Sequence, residues 1–191
     1  MFSTEIGTLN TFVHLYEYDN YEHRQMCRSL SSKNEEWQSG YLKRSKQCMV
    51  RQRSSVYQPA WGVLGAGWKG LKAVSEEVAQ KGDGTPGVYE FRRYNLTAVG
   101  VKQMLAGLEE CMEGQLGVGK VLVFVGVCDV SEQPASVLIV WRYASCQKRA
   151  EIRDKGSQLE AWNRNAQEMS QGMLSAPSVI LAVPMEGSPL K

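Results

Sequence analysis

The stretch Thr11–Arg24, TFVHLYEYDNYEHR, decides how the chain is organised, because its pattern occurs twice. Adding 125 to each residue number leads to Ser136–Arg149, SVLIVWRYASCQKR, and the register continues to residue 184 without a gap. Eight of the 49 pairs are identical, where composition alone would give roughly three. A repeat of this length indicates duplicated domains rather than stacked solenoid units. The identical pairs are Tyr18 and Tyr143, Arg24 and Arg149, Arg28 and Arg153, Ser32 and Ser157, Glu35 and Glu160, Trp37 and Trp162, Ser45 and Ser170, and Pro59 and Pro184.

Composition is typical of a globular protein without a strong electrostatic preference. The 191 residues are 43% hydrophobic, and 22 basic against 20 acidic residues leave a net charge of +2. No apolar run approaches the ~20 residues needed to cross a bilayer, and Glu5, Glu17 and Asp19 argue against an N-terminal targeting peptide. The five cysteines contain no C-x-x-C pair. They favour buried free thiols in a reducing compartment over a disulfide framework.

The second copy of the repeat has the pattern of a complete domain. Its periodicity predicts the element order βαββαβ, which indicates an α+β ferredoxin-like sandwich. The predicted elements are the strand Val88–Leu96, the helix Val99–Met112, the strands Lys120–Cys128 and Ser136–Tyr143, a helical segment Lys148–Leu174 broken near Gly156, and the strand Ser178–Val183.

The first copy has the pattern of half a domain. A strand is predicted over Leu9–Asp19, a broken helix from Tyr21 to about Met49, and a short strand over Ser54–Gln58. No counterpart of the residues 87–135 precedes this copy, so its strands are expected to lack their central pairing partner. Poor order, aggregation or pairing with another chain is therefore predicted for residues 1–60.

Four stretches resemble the NipSnap family. GVYEFRRYNL (Gly87–Leu96) is similar to the first strand of the NipSnap domain, and LNTFVHLYEYDNYEHR (Leu9–Arg24) to its third strand and following helix. EEWQSGYL (Glu35–Leu42) fits as well, and GSPLK (Gly187–Lys191) resembles the C-terminus of vertebrate members. The resemblance implies tandem ferredoxin-like domains of the dimeric α+β barrel type. On this basis residues 1–60 are the C-terminal half of a first domain, 61–86 a glycine-rich linker, and 87–191 a complete second domain.

The same resemblance sets the functional expectation. It implies a non-enzymatic interaction or adaptor protein, mitochondrial or cytoplasmic, linked to vesicle trafficking and mitochondrial quality control, without established catalytic residues. Protein partners are expected, and homo-oligomers and peripheral membrane contact are further options. Binding to nucleic acid is not expected, and neither is a transmembrane segment. The alternative is a small-molecule-binding protein or cofactor-independent enzyme that uses the barrel cavity.

Motifs that resemble cofactor and metal sites do not carry those functions here. Gly65–Gly70 spells G-x-G-x-x-G but follows a proline-ended strand inside the predicted linker. Gly114–Lys120 has P-loop spacing but continues with Val121 instead of Ser or Thr. Two histidines and scattered cysteines do not form a zinc pattern. No catalytic, cofactor-binding or metal-binding residue is therefore predicted, and no cofactor.

One group of residues is a candidate lining for the barrel cavity. In the strand from Val88, alternation is expected to turn Tyr89 and Phe91 toward the helices and Glu90 and Arg92 to the opposite face. Two buried charges there would need each other or a ligand. Structural pairing is preferred, and ligand binding stays open. The candidate residues are Glu90, Arg92, Tyr94, Trp141, Tyr143, His14 and Tyr16, and Trp37 and Trp162 are expected to be equivalent core anchors.

Overall fold

Seven strands pair in one antiparallel sheet in the computed structural model, which describes residues 1–65, 68–81, 87–115, 120–131, 133, 135–158, 163–164, 167, 170–188 and 190. The chain divides into two units, Met1–His14 with Ser55–Lys191, and Leu15–Ser54. The sheet belongs to the first of these. Its strands are β1 (Phe2–Ile6), β2 (Phe12–Val13), β3 (Val56–Pro59), β4 (Val88–Asn95), β5 (Lys120–Val130), β6 (Ser136–Tyr143) and β7 (Ser178–Pro184).

The helices divide between the two units. The described helices of the larger unit are α3 (Trp61–Leu64), α4 (Gly70–Lys81), α5 (Ala98–Gln115) and α6 (Cys146–Ser157). The unit Leu15–Ser54 contains α1 (Tyr21–Lys33), a π-helix (Glu36–Leu42) and α2 (Lys43–Cys48). Among the described residues, none of these helices is long and apolar enough to span a membrane.

The strand order confirms the predicted α+β, ferredoxin-like fold. The sheet runs β2-β1-β7-β4-β6-β5-β3, and every neighbouring pair is antiparallel. Its four middle strands with α5 and α6 form the βαββαβ unit, with β4 between β6 and β7. Apolar sequence explains their central place, because β5 and β6 are buried over much of both faces.

Helices cover one face of this sheet. Ile139, Trp141 and Tyr143 of β6 pack in one cluster with Met104 of α5 and Ile152 of α6. The opposite face buries an aromatic group, in which the ring of Phe2 lies 4.8 Å from that of Tyr89 and 5.2 Å from that of Phe91. Both faces of the middle strands therefore contribute to the core.

The first residues of the chain fold differently from the prediction. The expected strand over Leu9–Asp19 is wrong, since only Phe12–Val13 is extended in the sheet, and the strand Phe2–Ile6 was not predicted. β1 pairs with β7, and β3 pairs with β5, so both sheet edges of the second copy receive a strand from the same chain. Burial of Phe2 against β4 gives β1 a stabilising contact that alternation alone does not reveal.

Residues 61–86, predicted to be a linker, contain the helices α3 and α4. The short helix α3 ends at Gly65, whose φ of 75° lies in the left-handed region that glycine adopts without strain. Beyond it, the Trp68 indole Nε1 donates a hydrogen bond of 3.1 Å to the Val123 carbonyl. The segment is thus fastened to β5.

The unit Leu15–Ser54 contains the predicted broken helix. Asn20 caps α1, because its side-chain oxygen accepts a 2.7 Å hydrogen bond from the His23 backbone N–H. No residue of α1, the π-helix or α2 is buried. The expected core role of Trp37 is therefore wrong: its side chain is 38% exposed and stacks on Tyr41 at 4.5 Å. Trp162 lies outside the described residues.

Candidate functional site

A fully buried carboxylate stands at the centre of the candidate site. Glu90 of β4 has no exposed surface, and it lies opposite Trp141 of β6 and Leu181 of β7. Cross-strand partners point to the same side of a sheet. Glu90 therefore lies under the helices, among the side chains of the helix-covered face.

Three arginines surround this carboxylate. Arg92, two residues along β4, donates from Nε to Glu90 Oε1. Arg149 Nε donates to Oε2 at 2.7 Å, and Arg153 Nη1 lies 3.5 Å from Oε1. The exposed fraction of the arginine side chains rises in the same order, from 13% to 20% to 41%. The cluster thus leads from a buried anion to a solvent-accessible cation.

Helix geometry positions two of the arginines. Arg149 and Arg153 are four residues apart on α6, which places them on one face of that helix. Ser145 fixes the start of α6, since its hydroxyl oxygen accepts a 3.0 Å hydrogen bond from the Lys148 backbone N–H. Burial of Ile152 between the two arginines directs this face toward the sheet.

Two tyrosine hydroxyls complete the polar cluster. Arg92 Nη1 donates to the Tyr94 hydroxyl oxygen at 3.1 Å. Burial and the neighbouring Glu90 carboxylate raise the pKa of Tyr143 far above its ordinary value, so this residue stays a neutral hydrogen-bonding group. Burial alone would raise the pKa of Glu90, but the hydrogen bond from Arg149 and the charge of Arg92 outweigh it and lower that pKa. Glu90 is therefore ionised at neutral pH.

Glu90 and Arg92, the predicted pairing partners, are in contact, but they lie on the helix-covered face of the sheet and not on the opposite one. Glu90, Arg92 and Tyr94 share a face with Trp141, as the register of β4 and β6 requires. The expectation that Glu90 and Arg92 point away from the helices is wrong, because Arg149 and Arg153 of α6 contact Glu90. Alternation shows that two sets of side chains diverge, but it does not show which set a helix will cover.

The two candidates from the first copy lie elsewhere. His14 is exposed after β2, where partial burial and the positive N-terminus lower its pKa. Tyr16 belongs to the unit Leu15–Ser54, is 65% exposed, and stacks on Tyr18 at 6.4 Å. In the part of the chain that the structure describes, no group of three His, Cys, Asp or Glu residues could hold a metal ion.

Comparison with known proteins agrees with the fold. The NIPSNAP family model matches residues 1–61. This part of the chain is similar to the NIPSNAP family. The crystal structure of a NIPSNAP family protein from Agrobacterium tumefaciens is 24% identical with a TM-score of 0.50, covering 55% of this chain and 91% of that one. A NIPSNAP-like domain protein from Burkholderia xenovorans is 22% identical with a TM-score of 0.48, covering 54% of this chain and 89% of its own.

A second kind of relative has the same fold. An anthrone oxidase-like protein is 16% identical with a TM-score of 0.58, covering 89% of this chain and 71% of that chain. At this identity the likeness concerns the fold alone. No curated protein matches. The NIPSNAP resemblance read from the sequence is confirmed, and these relatives place the curled antiparallel sheet among α–β barrel folds.

Sequence reasoning missed the two arginines of α6 as site residues, although the sequence contained a signal for them. Arg149 and Arg153 are both members of the eight identical pairs of the repeat, matched by Arg24 and Arg28. Their spacing of four already placed them on one helix face. Their contact with Glu90 depends on how α6 packs over β4, which local sequence does not specify.

Proposed function

We propose that this NIPSNAP chain is a non-enzymatic interaction or adaptor protein that binds a protein partner through the unit Leu15–Ser54. The observation that carries this proposal is the exposure of large apolar side chains on helices without a buried residue. Contiguous exposed apolar surface commonly marks interaction sites. The exposed residues are Tyr16, Tyr21, Met26, Leu30, Trp37, Tyr41, Met49 and Val50.

The spacing of these residues suits a binding surface. Met26 and Leu30 lie one turn apart on α1, and Trp37 and Tyr41 stack in the π-helix. The stacked rings border a shallow depression of about 270 Å³, which Arg44 also lines. Aromatic and arginine side chains are the residues that most often dominate binding energy at interfaces. π-Helical segments are rare in proteins, and those that occur often lie at functional sites.

Charge supports one kind of partner. The segment from Lys43 to Arg53 carries five basic residues and no acidic one. An apolar protein surface flanked by carboxylates would complement both the aromatic pair and this basic segment. We extend the proposal to the compartment that the family resemblance implies, mitochondrial or cytoplasmic, and to a link with vesicle trafficking and mitochondrial quality control.

The test compares partners of matched variants of the full chain. Affinity purification from mitochondrial and cytosolic extracts identifies candidates, and calorimetry with each purified candidate measures direct binding. The double variant Leu30→Ser with Tyr41→Ser should weaken that binding by at least about tenfold. Val99→Ser, which removes one exposed apolar side chain at a 64% exposed site on α5, should leave it unchanged.

Two outcomes would contradict this function. Equal binding by the double variant and the Val99→Ser control would remove the unit Leu15–Ser54 as the binding surface. Flotation of the chain with anionic vesicles, without any protein partner that depends on Leu30 and Tyr41, would replace the protein partner by a membrane surface.

The alternative, a ligand-binding protein or cofactor-independent enzyme, draws on one observation. The fold is shared with an anthrone oxidase-like protein over 89% of this chain. Native mass spectrometry of the purified chain tests it directly. A small molecule that stays bound and is lost on substituting residues of the sheet interior would favour this alternative over the adaptor role.

A further inference from the structure

The cluster around Glu90 holds more positive charge than its carboxylate balances. Arg92, Arg149 and Arg153 contribute three positive charges and Glu90 one negative charge, which leaves +2. Like charges in one partly buried cluster repel one another, and burial weakens the screening by water. Arg92 and Arg149 already donate to both carboxylate oxygens. Arg153 adds charge without being needed to neutralise Glu90.

The weakest contact of the cluster is also its most exposed. Arg153 Nη1 stands 3.5 Å from Glu90 Oε1, at the long limit of a hydrogen bond, and 41% of its side chain is exposed. Each guanidinium carries five N–H donors. Within the described part of the chain, the guanidinium groups of these three arginines donate only four side-chain hydrogen bonds. Donors therefore remain at the solvent side of the cluster.

We propose that Arg92, Arg149 and Arg153 form a binding site for a phosphate monoester, with Glu90 as the buried residue that orients them. Phosphate monoesters carry about −1.5 to −2 charges at pH 7 and three acceptor oxygens. This charge balances the surplus of the cluster. The planar guanidinium groups suit bidentate contacts with phosphate oxygens.

The site takes a soluble ligand rather than a lipid headgroup. Two of its arginines are at most 20% exposed, so the phosphate would have to reach below the surface of the unit. This proposal is independent of the adaptor function, because its residues belong to the larger unit and not to Leu15–Ser54. Either proposal could therefore fail without the other.

The test is calorimetry of the full chain with inorganic phosphate, against sodium chloride at equal ionic strength. Saturable binding is expected for the wild type, and thermal unfolding should shift upward with phosphate. Arg153→Gln should weaken binding by at least about tenfold. Arg153→Lys, which keeps the charge but not the planar fork, should bind with intermediate affinity.

Arg28→Gln is the matched control, because Arg28 occupies the helix position equivalent to Arg153 in the first copy. It makes the same charge change and should leave phosphate binding unaltered. Absence of saturable binding by the wild type, or an equal loss in both glutamine variants, would overturn the proposal. If thermal unfolding in chloride shows that Arg153→Gln does not fold, Arg153→Lys and Arg28→Gln decide the outcome.

A vesicle measurement separates the sources of phosphate. Flotation with phosphatidic acid in phosphatidylcholine vesicles should be no greater than with phosphatidylcholine alone. Flotation that depends on Arg153, in a chain that does not bind inorganic phosphate, would identify a lipid headgroup and overturn the soluble ligand.

Discussion

Removing the charge of Glu90 should destabilise the larger unit more than removing any one arginine. Glu90→Gln keeps the shape of the side chain but leaves Arg92, 13% exposed, without its ionic partner. Breaking a buried ion pair by losing one member costs about 3–5 kcal/mol. Arg149, at 2.7 Å and 20% exposed, should couple to Glu90 by about 1.5–3 kcal/mol, as is typical of a hydrogen bond to a charged group.

Arg153 should couple least. Its 41% exposure and 3.5 Å contact place it with surface ion pairs, which contribute about 0.2–1 kcal/mol. Double-mutant cycles between Glu90 and each arginine, with urea unfolding followed by circular dichroism, measure the three couplings. The expected order is Arg92, Arg149, Arg153. A reversed order, or a loss below about 1 kcal/mol for Glu90→Gln, would refute this view of the cluster.

Further predictions concern pH and packing in the larger unit. The hydrogen bond from Arg149 and the charge of Arg92 lower the pKa of Glu90, so its charge contributes stability at neutral pH, and this contribution is lost as the pH falls through the folded-state pKa. In acid titrations the wild type should therefore lose more stability than Glu90→Gln. Phe2→Ala should cost about 3–5 kcal/mol in urea unfolding, because Phe2 is 1% exposed; a loss below 1 kcal/mol would show that β1 is not docked. Gly100→Ala should lower Tm, since its methyl group would lie 2.7 Å from the Gly172 carbonyl oxygen, whereas Gly156→Ala, with open space around it, should raise Tm. Equal shifts of both alanine variants would contradict the close contact.

The second copy was predictable because each of its strands is recognisable from its own run of apolar residues. β6 runs over Ser136–Tyr143, as predicted, and β4 and β7 differ from prediction by one residue at their ends. Their apolar runs are long enough to be recognised without a partner. The strand order then follows from the βαββαβ sequence of elements.

The first copy was less predictable because strand formation depends on a partner. Thr11–Tyr18 has alternation like that of β6, yet β2 contains only Phe12 and Val13. β6 has β4 and β5 on its two sides, whereas among the described residues β2 pairs with β1 alone. Each backbone N–H and C=O needs a hydrogen-bonding partner, and an exposed chain obtains it from water. Side-chain alternation is therefore necessary for a strand but does not create one.

The candidate site, too, could be predicted only in part from the sequence. The proximity of Glu90 and Arg92 could be predicted, since residues two apart in a strand share a face. The side that this face meets could not, because Tyr89 and Phe91 pack against Phe2 from the opposite side. A strand with aromatic residues on one face and charges on the other is usually covered on the aromatic side. Here α6 contributes Arg149 and Arg153, which contact Glu90, so the charged face is covered as well.

The two helices of the repeat show what a covering sheet contributes. Asn20 and Ser145 start α1 and α6 with the same side-chain cap, 125 residues apart, so the local sequence determines both helix starts in the same way. Ile152 of α6, between Arg149 and Arg153 in the sequence, is 6% exposed, whereas α1 has no buried residue. The sheet beneath α6 buries apolar surface of that helix, which is stabilising. The apolar side chains of α1 stay exposed, so their burial against another surface would still be favourable. The same helix design can thus support a core in one copy and a binding surface in the other.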